Sequence, residues 1–585
     1  MPRKKAVAAE SLRSFPRSYI STEANKTGSW RFLKPRYEEK TAPCSAACPA
    51  GEDIARVEIL TTQGMFKEAW ETILRENPFP AVCGRVCYHP CESRCNRGEF
   101  DEAIAIHSIE RFLADTAGRN EMKPSLERLP SKKQKIAVVG AGPSGLSAAY
   151  FLSLLGYGCD VFEASEEPGG ILRWGIPLYR LPLAALRREV AQIRGLGVRI
   201  FTGKTLSKGF IDEAKGRYDA VFIGCGHYRS GDIGVPGENL EGVEDGLKFL
   251  QKMRKGDRVT MESPVAVIGG GNSAVDVARC VLRLGGRAII VYRRRRQDMP
   301  AFPGEVESAL EEGVELMELL APAKVERDGK ELVLHLRRMK VTGQDEKGRG
   351  IVAPDGRKTE KIRVRQIFSA IGEGPEAPWL QPPKGEKSVV ALENCVLLPR
   401  GKDPAVVYGG DLTATIKSVV NAVASGKEAA MALDILFREG PKAVEGMLKK
   451  FRVGDGPALS MEAYLKGPRS ERSSHVVAYS EINKDYFELA RRLSQPRLLI
   501  DERRRTFEEV ELRVSANIAI REAERCFHCG LCDQCDNCFF FCPDLAVIRD
   551  DGVHKRRINY DYCKGCGVCV VECPRNAMVL EEEKL

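Results

Sequence analysis

This sequence has no long apolar run. Its most apolar stretches are broken by Gly, Ser and Pro before they reach the roughly 20 residues of a membrane-spanning helix, so no membrane span is expected. It also lacks an export signal: Met1-Pro2-Arg3-Lys4-Lys5 is basic, but no apolar segment follows. A cytoplasmic location is the expectation. Charge of one sign is missing too, since 90 basic and 81 acidic residues leave a net of +9. Aromatics are only 7% of the chain and do not interleave with the basic runs, which argues against a nucleic-acid partner. What remains is a multidomain globular chain of 585 residues, 43% of them hydrophobic.

Cysteine is what the chain has in excess. There are 20, mostly in C-x2-C and C-x3-C spacings, and without an export signal that usage points to metal or cluster ligation rather than disulfides. Six fall within 52 residues: Cys44, Cys48, Cys83, Cys87, Cys91 and Cys95. Pro90 argues against one continuous helix carrying the last four as an apolar stripe. Zinc is the rival metal, but its sites usually pair C-x2-C units, so iron–sulfur clusters are favoured. The last 60 residues are more specific. Cys532-x2-Cys535-x2-Cys538-x3-Cys542-Pro543 and Cys563-x2-Cys566-x2-Cys569-x3-Cys573-Pro574 are two copies of the bacterial ferredoxin run, whose fourth cysteine ligates the other cluster. One [4Fe–4S] centre is expected on Cys532, Cys535, Cys538 and Cys573, the other on Cys563, Cys566, Cys569 and Cys542.

Between these cysteine-rich ends lie two dinucleotide fingerprints. Lys135 to Val139 reads as a buried strand, and Gly140-Ala141-Gly142-Pro143-Ser144-Gly145 as a glycine turn opening a helix. Its free N–H groups and positive dipole end suit a pyrophosphate. A second strand ends at Glu163, 23 residues past Gly140, where a ribose-binding carboxylate belongs. The loop Gly169-Gly170-Ile171-Leu172-Arg173 follows and suits close approach to a flat ring system. The second fingerprint is Gly269-Gly270-Gly271-Asn272-Ser273-Ala274. Its ribose-acid position is taken by Arg293 and Arg294, an anion-binding fork that favours NADP(H) over NAD(H). The strands Gln366–Gly372 and Val406–Asp411 then read as a return to the first domain. Gly372 and Gly410 form the turns, Asp411 is placed for a ribityl hydroxyl, and Ser418 stands before a helix whose start faces the flavin.

With these motifs in hand the chain resembles the glutamate synthase small (β) subunit family. That family includes the N-terminal half of dihydropyrimidine dehydrogenase and the large subunit of NADH-dependent ferredoxin:NADP oxidoreductase. The resemblance spans about residues 41–435 and rests on Cys83-Gly84-Arg85-Val86-Cys87 through Cys91-Glu92, both glycine loops, Val291-Tyr292-Arg293-Arg294 with Met299-Pro300-Ala301, and Gly409-Gly410-Asp411. It implies FAD on the first loop and NADPH on the second, with the nicotinamide domain inserted into the FAD domain. The added ferredoxin module resembles electron-input flavoproteins of dissimilatory sulfite reductase or benzoyl-CoA reductase. Relatives carry an Arg-Glu-Ala-x-Arg-Cys-x-x-Cys segment before the N-terminal cysteines. Here it appears as Arg521-Glu522-Ala523-Glu524-Arg525-Cys526-Phe527-His528-Cys529. The resemblance therefore implies a C-terminal arm that folds back, with Cys526 and Cys529 joining Cys44 and Cys95 around one cluster. Cys48, Cys87, Cys91 and Glu110 would hold the second. Cys83, Cys159, Cys225, Cys280 and Cys395 are left as spare thiols.

The expected fold class is α/β, with an N-terminal extension at 1–40 and a helical iron–sulfur domain at 41–130. The FAD domain is expected at 131–260 and 366–440, the NADP(H) domain inserted at 261–365, a linker at 441–520 and an α+β ferredoxin domain at 521–585. The expected activity is electron transfer between NAD(P)H and a redox partner, such as a ferredoxin or a sulfite reductase, through FAD and four [4Fe–4S] clusters. A homodimer is compatible with this. The alternatives are a glutamate synthase small subunit feeding a large partner, a flavin disulfide reductase using Cys526 and Cys529 as a dithiol, and a non-catalytic scaffold.

Overall fold

The computed structural model describes residues 21, 24–346, 348–383, 389–469, 471–549 and 556–583. Contacts divide the chain into two units: one comprises residues 41–479 and 489–526, the other residues 1–40, 480–488 and 527–585.

The larger unit is built on two parallel sheets. The first has seven strands in the order Val390–Ala391, Val396–Leu398, Ala405–Tyr408, Ala220–Ile223, Lys135–Val139, Gly158–Phe162 and Arg199–Phe201. Its five central and far strands run parallel, and the inner three, Ala405–Tyr408, Ala220–Ile223 and Lys135–Val139, are buried on both faces as their continuous Val/Ile/Ala runs require. The second has five parallel strands in the order Glu315–Glu318, Ala288–Tyr292, Val265–Ile268, Gln366–Ser369 and Val243–Asp245. This corrects one boundary. Gln366–Ser369 does not return to the FAD sheet but pairs between Val265–Ile268 and Val243–Asp245. Val243–Asp245 likewise belongs to the NADP sheet, ahead of the expected start at 261. A short Ile-Phe-Ser run fits either parallel sheet equally well, and only the register with Val265 decides. A three-stranded antiparallel layer, Leu320–Asp328, Glu331–Gln344 and Gly350–Val364, is appended to this domain.

The two nucleotide domains are locked by buried arginines. Arg254 donates to the carbonyls of Arg173 (2.7 Å), Leu172 and Leu181, and Arg180 pairs with Asp276 at 2.8 Å.

The helical domain packs Pro80–Val86 against Ile106–Arg119. Its second pair, Ile54–Thr62 and Phe66–Leu74, is broken at Gly64. His89, in left-handed backbone (φ 52°), and Pro90 break the cysteine run as expected. The expected linker at 441–520 is a strap fixed to this domain. Ser460 Oγ donates to Glu76, whose carboxylate also pairs with buried Lys427 (2.6 Å). Arg503, expected to be solvated with Arg504 and Arg505, is buried and donates to Leu498 O and Glu311.

Arg469 holds Asp53 through two 2.6 Å bonds, with Arg472 at 3.6 Å. Burial alone would raise the Asp53 carboxyl, but Arg469 and Arg472 outweigh it and hold it down at about 2. A depressed carboxylate contributes stability above its unfolded value that is lost as pH falls through its folded value. Asp53→Asn is therefore expected to cost about 3–5 kcal/mol at pH 7 by leaving buried guanidiniums unpaired. The difference from wild type should shrink between about pH 4 and pH 2, as denaturant melts across that range will show.

In the smaller unit the N-terminal extension is more than a loose tail. Leu33–Tyr37 pairs antiparallel with Met578–Glu582, and Arg31 reaches Glu583 at 2.5 Å and the carbonyls of Tyr560 and Cys563. The strands Val547–Arg549 and Arg556–Ile558 form the ferredoxin hairpin. The expected features of residues 1–20 lie outside the described residues. Among the described residues no helix is long and apolar enough to cross a membrane.

Candidate active site and cluster sites

Both glycine loops open into one cavity of about 1690 Å³, larger than the roughly 300–1,000 Å³ of a single small-ligand pocket. On the first side it is lined by Gly140, Gly142, Pro143, Ser144, Glu163 and Gly170, on the second by Gly269, Gly271, Asn272, Ser273, Arg293 and Arg294. Gly372, Gly410, Asp411 and Ser418 complete it. Three expected residues stand behind the wall. Gly145 packs the helix Pro143–Leu154 on its strand so closely that a Cβ would lie 1.9 Å from Gly140 O. Leu172 is buried core, and Arg173 turns to Arg254 O and Glu167.

The first side fits FAD. Ser144 Oγ is buried without a hydrogen-bond partner at the start of a 12-residue helix, a donor waiting for a phosphate oxygen. The Glu163 carboxylate accepts from Ala141 N and Ser165 N, both at 2.8 Å, which fixes it at the strand end facing a ribose. Gly170 (φ 56°) lies so near Gly142 that a Cβ would come within 2.7 Å of its Cα, so the two loops meet backbone to backbone. Burial raises the Asp411 carboxyl against the pull of Lys417. The indole Nε1 of Trp174, also on the wall, is buried and unpartnered.

On the second side Asn272 Oδ1 accepts from Phe302 N (3.0 Å), bracing the Pro300–Phe302 loop, and Ser273 Oγ donates to Glu373 (3.1 Å). Arg294 is half-buried with Nε unpartnered, and Arg293 is exposed beside it. Arg295 turns away to Asp298 at 2.8 Å. Of this arginine run, Arg293 and Arg294 line the cavity. Sequence reading missed His227 and Lys417, which meet at 2.8 Å on the cavity wall. Burial, then Lys417, lowers the His227 imidazole. No local motif marks this pair, because it comes from two loops almost 200 residues apart.

The candidate cluster residues fall in both units of the chain. Cys48, Cys87, Cys91 and Glu110 are all buried. Burial pushes the Cys87 thiol well up, with Glu110 and Cys48 adding to it, and Cys91 rises by burial and by Cys48 and Cys87. Three thiols and a carboxyl excluded from water form a donor set that suits iron. Cys83, read as spare, lies in the same group, beside Glu110 and Cys87. Val86 and Tyr88, the chain neighbours of buried Cys87, line the large cavity. Cys44, Cys95 and Cys526 share the larger unit. The helix Ala516–Glu524 packs against Ile54–Thr62. Arg97 donates to Arg525 O (2.9 Å), Arg525 returns to Asp101 (3.1 Å) and Glu102 O, and Glu522 accepts from Ala105 N. The arm is thus fastened just after Cys95. Cys529 belongs to the other unit, and its assignment rests on the sequence motif.

In the ferredoxin unit burial raises the Cys532 thiol to about 11, with Cys538 and Cys573 adding to it, burial and Cys573 raise Cys538, and Cys569 is raised to about 12 by burial and by Cys563, Cys538, Cys566 and Cys542. Cys542, Cys563, Cys566 and Cys569 line one small cavity. Tyr37 OH lies 3.3 Å from Cys538 Sγ, and Ala546 N and Ala577 N donate to the sulfurs of Cys542 and Cys573. Among the described residues no disulfide is formed.

Comparison with known proteins agrees. The family described as dihydropyrimidine dehydrogenase domain II, 4Fe-4S cluster, matches residues 21–122. Pyridine nucleotide-disulphide oxidoreductase matches 134–426 and the 4Fe-4S binding domain 556–579. The Escherichia coli glutamate synthase [NADPH] small chain is 31% identical over 66% of this chain and 87% of its own. The NADP(+)-dependent formate dehydrogenase subunit beta of Moorella thermoacetica is 33% identical over 84% of this chain and 70% of its own. The chain belongs to the glutamate synthase small-subunit family. The NADPH-Fe(3+) oxidoreductase subunit beta of Geobacter sulfurreducens is similar over more of its length, 32% identical across 88% of this chain and 78% of its own. As a member of this family the chain is an NAD(P)H-dependent iron–sulfur flavoprotein oxidoreductase. Its cofactors are FAD, NADP(H) and [4Fe–4S] clusters.

Proposed function

We propose that this chain draws electrons from NADPH and delivers them, one at a time, to a redox protein such as a ferredoxin or a reductase complex. The observation that carries the reading is that buried Cys87 lies in the chain between Val86 and Tyr88, two residues that line the cavity both nucleotide loops share. When bound, FAD supplies the conversion of a hydride into two single electrons, and the clusters supply one-electron storage. The chain's residues do the rest. Ser144 and the helix start it opens hold phosphate, and Glu163 and Asp411 orient sugar and ribityl hydroxyls. Arg293 and Arg294 select the 2′-phosphate, and Cys48, Cys87, Cys91 and Glu110 hold the cluster nearest the flavin. We assign a further cluster to Cys44, Cys95 and Cys526, and two to the ferredoxin repeats. These metal and cofactor assignments, with the domain limits as corrected above, are what the reading stands on.

A dithiol mechanism is less well supported. Among the described residues Cys225 is the sole cysteine lining the cavity, and Cys526 is packed with the helical domain. A glutamate synthase role would need a glutaminase partner. The test is anaerobic addition of NADPH, followed by flavin absorbance and cluster EPR in one sample. NADPH is expected to bleach the flavin and then to produce reduced-cluster signals. Bleaching with silent clusters would overturn the route.

A further inference from the structure

The two ferredoxin repeats are offset by 31 residues, Cys532 to Cys563, and each turns through left-handed backbone at the same three places. In the second repeat these are Gly565 (φ 71°), Gly567 (φ 80°) and Asn576 (φ 54°), residue types that tolerate the region. In the first they are Gln534 (φ 67°), Asp536 (φ 67°) and Leu545 (φ 49°). Leu545 is the anomaly, because its side chain has no polar atom to offset the Cβ clash. The strained turn carries that side chain into water, where it is 76% exposed. On the other side of Cys542, Phe540 is 69% and Phe541 52% exposed. The Arg549 guanidinium lies 5.0 Å from the Phe540 ring centroid. The same turn borders the small cavity shared by Cys542, Cys563, Cys566 and Cys569, and Cys566 is the one exposed cysteine of the chain. A single exposed leucine needs no explanation. A strained one among exposed aromatics, beside the cluster ligand nearest to water, does.

We propose that Phe540, Phe541 and Leu545 form a docking collar for a small acceptor protein that carries its own iron–sulfur cluster near an apolar rim. The Cys542, Cys563, Cys566 and Cys569 site is then the exit from the chain. This rests on the electron-transfer reading above and names its partner surface. The size of the collar selects the occupant. Three side chains offer a few hundred Å², well short of the roughly 800 Å² per partner of a standard stable interface and in the range of electron-transfer encounters. The stoichiometry requires repeated release as well. One NADPH and two oxidised acceptors give NADP⁺, one proton and two reduced acceptors, so a partner must leave after each electron.

The test uses the full-length holoenzyme in anaerobic stopped flow, with a single-cluster, one-electron [4Fe–4S] ferredoxin and methyl viologen as alternative acceptors. The variants are Leu545→Gly and Phe541→Ser. Loss of one apolar anchor is expected to lower the second-order rate constant with ferredoxin by about tenfold or more, while viologen reduction stays within about twofold. Leu545→Gly is also expected to unfold at a higher temperature than wild type, because glycine relieves the turn. An unchanged ferredoxin rate, parallel slowing with both acceptors, or a lower melting temperature for Leu545→Gly would overturn the proposal. So would a wild-type enzyme that reduces viologen but not ferredoxin. A wild-type dimer that dissociates in Leu545→Gly would assign the collar to a second copy of the chain instead. Failure of the underlying reading is distinguishable, because NADPH would then leave the wild-type flavin unbleached.

Discussion

Replacing Cys87 with serine is expected to leave NADPH able to bleach the flavin at close to the wild-type rate while reduction of the ferredoxin clusters nearly stops. The nucleotide-binding loops do not depend on the Cys87 sulfur, so hydride delivery should persist. Cluster formation should depend on it, since Cys48, Cys87, Cys91 and Glu110 are all buried and close enough to act on one another electrostatically. Loss of an outer partner of a metal ligand typically costs 10–100-fold in affinity or activity, and loss of a ligand should cost about 100-fold or more in the rate at which the distal clusters are reduced. Four irons per FAD should disappear with it. Two controls sharpen the result. Glu110→Gln keeps an oxygen donor in place and should retain the irons, whereas Glu110→Ala should not. Cys83→Ser separates a ligand from a spare thiol: Cys83 lies beside Glu110 and Cys87, yet the expected iron content is that of wild type.

The second large effect falls on the nicotinamide side. Arg293→Ala combined with Arg294→Ala should raise KM for NADPH by about 10–100-fold, the equivalent of one charged hydrogen bond at about 1.5–3 kcal/mol. KM for NADH should change little. Most of the loss should track Arg294, which is half-buried with a free Nε. The exposed Arg293 works against full solvent screening. Steady-state kinetics with both nucleotides on the two single variants and the double variant would apportion the effect. Equal losses with NADPH and NADH would mean that the arginines shape the loop rather than read the 2′-phosphate.

Much of this molecule is legible in the sequence because its chemistry is written in local patterns. Gly140 to Gly145 must turn, admit a phosphate and pack a helix within six residues, and the ferredoxin runs must place three thiols on one cluster. What escapes is whatever depends on distant partners. The Gln366–Ser369 strand carries nothing in its residues to say which parallel sheet it joins. Leu33–Tyr37 looks like part of an idle extension, because its partner Met578–Glu582 lies at the other end of the chain. Lys427 reads as an ordinary helix lysine, but Glu76 and the carbonyl of Ala50 take it into the core. Arg503 reads as solvated, but Glu311 and the Leu498 carbonyl hold it in. His227 and Lys417 meet only when two distant loops are brought to one cavity.

The central claim is that electrons leave the flavin cavity through clusters held by the N-terminal cysteines, in addition to those of the ferredoxin repeats. Iron and acid-labile sulfide per FAD in anaerobically purified protein test it most directly. The account predicts about sixteen of each, four [4Fe–4S] clusters. About eight, the content of the ferredoxin repeats alone, would contradict it.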